Sequence, residues 1–435
     1  MLIERAYLLN GRIVDIRVGE RITEVGESLS PVVGEEVVDA RGHTVIPGLH
    51  DHHVHLRAAA AALESVDVSP SRVRSIEDLH RLLRSAVADS DGWIRAVGYH
   101  ESAAGYLDRA ALDQVMPHVP VRIQHRSGAL WMLNSVGLSV VNLSGHPDGR
   151  LPNAEATWPA AIGMRERSLA HVSGRLTSYG VTGVTDATPD LDAGAVAALT
   201  GAHRRGELRQ RVHCLSPGKR ILHDDFLDLD GLTEWIVACH ARGVPVALHC
   251  VTRSQLVVAL AALRSAGSSP SDRIEHAAVV PPDCRRDLAE SGALVVTQPN
   301  FVSERGDQYL VDVEGGELPA LWPLASLLNS GVRVALSTDL PFGGLDPWKA
   351  VHAAVTRTTG AGRLLNPRER VSPHQALTMF FGTPQRPDVP RRIAPGQQGD
   401  LCLVSGSPEE LLINLDSRMV VGTVIGGKLQ NHGGT

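Results

Sequence analysis

The chain has 435 residues, 43% of them hydrophobic and 21% charged, enough apolar material for one large domain with an appendage or for two or three smaller ones. A formal net charge of -6 and an aromatic content of 4% argue against partners such as nucleic acid or an acidic membrane surface. The five cysteines (Cys214, Cys239, Cys250, Cys284 and Cys402) are scattered and form no CxxC pair, which excludes a disulfide frame or a cysteine-type zinc site. Residues 1 to about 43 read as short strands and tight turns: an apolar run into Asn10-Gly11, an alternating stretch from Arg12 to Val18, then two further short strands. This β unit is too small for a core of its own. Matching strands occur at the other end, around Asp400-Leu401-Cys402-Leu403-Val404 and from Val420 to Ile425. The economical solution is one small β-sandwich built from both termini, residues 1–43 with 390–435.

Residues 44–389 change pattern. Strands are expected over 44–48, 94–98, 121–125, 181–187, 210–215, 244–250, 272–276, 294–298 and 332–339. Helices are expected between them, among others over 76–88, 163–179, 193–205, 254–266 and 346–358. Alternating strand and helix implies a parallel sheet with helices outside, either doubly wound or closed as an eight-stranded barrel. The strand candidates exceed eight by one, so the extra material around 101–162 is expected to be an insertion. No stretch approaches ~18 uninterrupted apolar residues, and the N-terminus has no basic start followed by a long apolar run. The expectation is a cytoplasmic protein without membrane contact; a homo-oligomer is compatible with it.

The stretch Pro47-Gly48-Leu49-His50-Asp51-His52-His53-Val54-His55 closes an apolar run. His53 and His55 are two apart, so on an extended strand they point the same way and can share one metal ion. Further polar residues end later apolar runs: His249, His276 and Asp339. Side chains from many strand ends meet at one point only if the strands form a ring, which favours a TIM (β/α)8 barrel with its site at the C-terminal face. Walker, GxGxxG, GxSxG and HExxH patterns are all missing.

With these residues in view, the chain resembles the amidohydrolase superfamily from end to end, and within it amidohydrolase family 3 (YtcJ-like). The Pro-Gly-x-x-Asp-x-His-x-His start carries the resemblance, together with Gly180-Val181-Thr182-Gly183-Val184-Thr185-Asp186, Leu248-His249, Arg273-Ile274-Glu275-His276-Ala277, Ser337-Thr338-Asp339-Leu340-Pro341 and the tail from Ala394 to Leu401. The resemblance implies a divalent metal, zinc by preference, as one or two ions. His53 and His55 would bind the more buried ion, and His249 and His276 a second ion or the substrate. Asp339 would touch the first ion and act as the catalytic proton acceptor. Lys219, after Leu215-Ser216-Pro217-Gly218, stands close to where relatives carry a carboxylated lysine bridging two metals. The implied reaction is hydrolysis of a non-peptide C–N bond in a small amide, formamide or cyclic amide by metal-activated hydroxide. Two other readings stay open: hydrolytic deamination of a small heterocycle, and a non-catalytic assembly protein on the same scaffold.

Substrate contacts are expected from Tyr99 after the second strand, from His125 and Arg126, in a segment that resembles one usually carrying a histidine after the glycine where this chain has Ala129, and from Gln298 at the end of the seventh strand. Trp131 and Phe342 read as packing residues, and His50 and His52 as bystanders of the metal-binding turn.

Overall fold

The structure is a computed structural model that describes residues 1–152, 158 and 167–430. It divides into two compact units, Met1–His55 with Val172–Thr435, and Leu56–His171. No helix among the described residues is long and apolar enough to cross a membrane.

The first unit holds eight short strands whose C-terminal ends carry the chemistry: β1 (Leu49–Val54), β2 (Val181–Asp186), β3 (Arg211–Cys214), β4 (Lys219–Ile221), β5 (Ala247–Cys250), β6 (Arg273–His276), β7 (Leu294–Thr297) and β8 (Arg333–Leu336). Hydrogen bonds arrange them as two parallel sheets, β3-β2-β1 and β4-β5-β6-β7-β8. The single continuous eight-stranded ring expected from the sequence is therefore not present as one ladder among the described residues. The break between β3 and β4 coincides with Pro217, which has no N–H to give to a ladder. Across this break Leu215 N still donates to Asp186 O at 2.9 Å, and Ala247 N to Gly218 O at 2.7 Å. On the far side, the segment after β8 returns to β1. Asp339 N donates to His53 O at 3.0 Å, His55 N donates to Leu340 O at 2.7 Å, and Val54 forms a parallel bridge with Leu340.

The strands from the two chain ends do meet. They form one eight-stranded sheet in which Leu401–Ser405 runs antiparallel to His43–Pro47. Ile3, Val14, Ile16, Val45, Leu401, Leu403 and Val424 form its apolar core. This corrects the reading of residues 44–48 as the first barrel strand: His43–Pro47 belongs to the terminal sheet, and β1 begins only at Leu49. Gly48 makes the crossing feasible, because a Cβ there would lie 2.2 Å from the Thr182 side chain.

The second unit has its own five-stranded sheet, with Val66–Asp67, Ile94–Tyr99, Val121–His125, Leu130–Leu133 and Arg150–Pro152 as successive neighbours. The expected barrel strands over 94–98 and 121–125 are thus partners of each other in this sheet. Val68, Leu79, Leu83, Ile94, Ala96, Leu112 and Ile123 fill its core. Of the helix expected over 163–179, Ala170–Ser178 is present, and residues 163–166 lie outside the described residues, as does most of 153–162 in the expected insertion.

One close approach gives a direct test of how β1 and β2 pack. A Cβ on Gly183 would sit 2.5 Å from His50 Nδ1. Replacing Gly183 with Ala should destabilise the chain by about 1–3 kcal/mol through overpacking. Thermal unfolding reads this as a lower midpoint; an unchanged midpoint would mean that the two strands separate at little cost.

Candidate metal centre

His53 is the penultimate residue of β1, His55 follows directly after that strand, and Asp339 follows β8. The backbone bonds between these two segments bring the three side chains together. His53 Nε2 lies 3.5 Å and His55 Nε2 3.3 Å from Asp339 Oδ1, and the three donor atoms lie within 4.8 Å of one another. Asp339 Oδ1 is buried without a hydrogen-bond partner among the described residues. A buried, unpartnered carboxylate oxygen is costly unless a cation shares its space. Asp339 has φ 59°, a left-handed backbone that is uncommon for a residue with a side chain and that turns its carboxylate toward the two histidines.

The protonation of the rings can be read from their partners. His53 Nδ1 is in short contact with Glu275 Oε2. A carboxylate there accepts, so the ring proton sits on Nδ1 and the Nε2 lone pair faces Asp339. Glu275 is fully buried and gripped by Arg273, whose Nε lies 2.6 Å from Oε1. Arg273 Nη2 also donates to His52 O at 2.7 Å, which ties β6 to β1. His276 Nδ1 lies 2.8 Å from Gln298 Oε1, an acceptor, and this ring too presents Nε2. Burial holds His53 and His276 well below the ordinary histidine range and pushes His249 down to about 3. All three rings are therefore neutral at physiological pH, the form that ligates metal.

Strict alternation along β6 would send Glu275 and His276 to opposite faces. Both reach His53, because His276 has φ 70° and its ring swings back. Its centroid lies 4.8 Å from that of His53 and 4.4 Å from that of His249. The five donors His53, His55, His249, His276 and Asp339 thus share one neighbourhood at the strand ends. Lys219 opens β4 in register with Ala247, two positions before His249. Its Nζ is buried with no hydrogen-bond partner among the described residues, and burial pushes its pKa down to about 8.

Several groups of consequence were not singled out from sequence. Arg273 and Glu275 are one; their i, i+2 spacing on an expected strand was the available signal. Asp51 is another. It is fully buried, accepts from Thr338 N at 3.1 Å and from Thr338 Oγ1, and so locks β1 to the loop after β8; burial raises its pKa to about 7. His50 and His52 are buried in β1 rather than exposed in a turn, with His50 Nε2 2.9 Å from Thr185 Oγ1.

Two expected substrate contacts are corrected. Gln298 is fully buried, and its amide is engaged by His276 and, at 2.8 Å, by Ser337 Oγ, so it orients a histidine instead of lining a rim. Tyr99 is buried in the core of the second unit and donates its hydroxyl to Gly105 O at 2.7 Å. His125 and Arg126 also lie in that unit. His125 Nε2 is 3.2 Å from Glu101 Oε2, and Arg126 N donates to Tyr99 O at 2.8 Å. His100, Glu101 and His125 cluster as metal-binding groups do. However, each ring accepts a backbone N–H at Nδ1, from Ser102 at 3.1 Å and Ser127 at 3.2 Å, which leaves the proton on Nε2 and no lone pair there for an ion.

Histidines and an aspartate converging at the C-terminal ends of parallel strands define a metal-dependent hydrolase of TIM-barrel-like α/β fold. Residues 36–429 match the sequence model of the amidohydrolase family. The chain belongs to the amidohydrolase family, whose members use a divalent metal, and it is a hydrolase acting on carbon–nitrogen bonds. It is 25% identical to the N-substituted formamide deformylase of Arthrobacter pascens, over 94% of this chain and 92% of that protein. It is 22% identical to protein LONG AFTER FAR-RED 3 of Arabidopsis thaliana, over 94% and 86% respectively. Among solved structures, it superposes on an uncharacterized metal-dependent hydrolase from Pyrococcus horikoshii with a TM-score of 0.74 at 20% identity, covering 94% of this chain and 97% of the other. A second such hydrolase, from Pyrococcus furiosus, gives 0.69 at 21% identity, covering 94% and 99%.

The role of Glu275 can be measured without substrate. Glu275→Gln keeps the shape and removes the charge behind His53, so affinity for the first metal should fall about 10- to 100-fold. Chelator competition monitored by elemental analysis reads this, and unchanged affinity would assign Glu275 to packing alone.

Proposed function

We propose that this chain hydrolyses a small N-substituted formamide or related amide, breaking its C–N bond with water to release an amine and a carboxylic acid. The observation that carries this reading is the convergence of His53, His55 and the unpartnered Asp339 oxygen on one point. The similarity to a formamide deformylase supports the substrate class. Zinc is the first candidate metal, since neutral imidazole nitrogens and a carboxylate suit it.

In this reading His53, His55 and Asp339 hold one ion. His249, His276 and a carboxylated Lys219 hold a second. A bound divalent ion lowers the pKa of water from 15.7 to roughly 7 and withdraws electrons from a carbonyl oxygen. The remaining work falls to the protein. Asp339 accepts the proton from water as the new C–O bond forms, then gives it to the nitrogen that leaves. Glu275 and Gln298 keep His53 and His276 in the right tautomer. The buried amine of Lys219, with its pKa near 8, is neutral often enough near pH 7 to attack carbon dioxide. The new N–C bond would give a carbamate as the displaced amine proton passes to water, and its oxygens would supply an anionic ligand for the second ion.

Metal-reconstituted protein should release formate from N-substituted formamides, and a chelator should stop it. Asp339→Asn should lower kcat at least ~100-fold while elemental analysis still finds metal; sustained turnover would remove Asp339 from the proton path. Carboxylation has its own readout. Protein kept in 13C-bicarbonate should show a carbamate resonance that is missing in Lys219→Ala, and identical spectra would leave the site with a free lysine.

A further inference from the structure

The loop after β8 carries one large side chain that the metal centre does not use. Phe342 stands against the metal-facing ring of His55, centroids 5.3 Å apart and planes at 74°. The residue is partly exposed, whereas Leu340 beside it is buried. Its backbone is held from both sides. Phe342 N and Gly343 N donate to Asp339 O at 2.7 and 2.9 Å. Arg305 donates to the Phe342 carbonyl and lies over the Phe301 ring at 4.1 Å. Gly344 N donates to Glu304 Oε1 at 2.9 Å. A Cβ on Gly343 would approach Thr338 O to 2.1 Å, so the chain at this point is packed as tightly as glycine allows. The backbone that carries the ring is therefore fixed relative to Asp339, and the ring stands beside His55.

We propose that Phe342 is a specificity-determining wall, which packs against a flat apolar substituent next to the scissile C–N bond and so favours such substrates over small ones. The proposal rests on the amide-hydrolase reading above and deepens it. A molecule whose reacting carbon sits among His53, His55 and Asp339 places the atoms bonded to that carbon within reach of a ring only 5.3 Å from His55. A partly uncovered aromatic beside a few convergent polar groups is the usual composition of a small-molecule site, and ring-on-ring contacts add to the apolar gain.

The test uses the full chain loaded with zinc. Phenylphosphonate and methylphosphonate share an anionic head that mimics a tetrahedral centre and differ only in the flat group. Calorimetry should show the wild-type chain binding phenylphosphonate about tenfold more tightly than methylphosphonate. Phe342→Ala should bring that ratio close to one while methylphosphonate affinity and zinc content hold, and Phe342→Leu should keep part of the ratio. A wild-type chain with no preference, or a ratio unchanged in Phe342→Ala, overturns the proposal. Loss of zinc from both variants also overturns it and assigns Phe342 to the support of His55. A chain that shows the predicted ratios yet releases formate from no formamide supports the wall and sinks the formamide reading, so the two failures are distinguishable.

Discussion

The buried pairing of Arg273 with Glu275 beneath His53 is the constraint on which the site depends. Two opposite charges removed from water stabilise a fold only when their geometry is good and their remaining hydrogen-bonding capacity is used. Here the guanidinium meets the carboxylate through Nε and a second nitrogen holds the backbone of β1 at His52, while Nη1 has no hydrogen-bond partner among the described residues. The other carboxylate oxygen faces His53. One ion pair thereby fixes strand position, ring orientation and ring tautomer together, and any slip of β6 against β1 would break all three at once.

The second constraint is backbone in origin. His276 and Asp339 both adopt left-handed conformations, which cost a residue with a Cβ of order 1 kcal/mol or more. His276 ends β6 and Asp339 lies in the segment after β8, and each carries a group that faces the candidate metal centre. The strain persists because neighbours over-determine it: Asp339 N is bonded to His53 O, and Thr338 is bonded to Asp51. The imidazoles of His53, His249 and His276 are kept neutral by burial, while the Lys219 amine and the Asp339 Oδ1 have no hydrogen-bond partner among the described residues. Such a set of groups is poorly stabilised by itself and well suited to a cation.

Much of this was legible in the sequence where chemistry follows spacing. The His53–His55 pair and the later strand-end donors His249, His276 and Asp339 could be placed because a parallel α/β pattern makes strand ends converge. The meeting of the two chain ends was legible from unpaired short strands. What could not be read came from events that spacing does not encode. A further short strand, Lys219–Ile221, resumes after Pro217 where the sequence pattern ended a strand at Leu215, and Gly48 allows an apolar run to leave one sheet and enter another. The positive φ of His276 lets consecutive residues serve one centre. Tyr99 and Gln298 were placed at a rim because they end strands, yet a hydroxyl and an amide at a strand end can equally turn inward to a carbonyl or a histidine, and both do.

The sharing of one sheet by both chain ends has a consequence for how the protein is made. Thr44 Oγ1 bonds to Gly406 O, 362 positions later, on the strand that leads directly into β1. None of the candidate donors named above lies beyond Asp339, yet the strand that leads into His53 and His55 lacks its antiparallel neighbour until Leu401–Ser405 has left the ribosome. Contacts of such sequence separation form late and slowly. The segment that carries His53 and His55 is therefore synthesised long before the strand that pairs with the run leading into it.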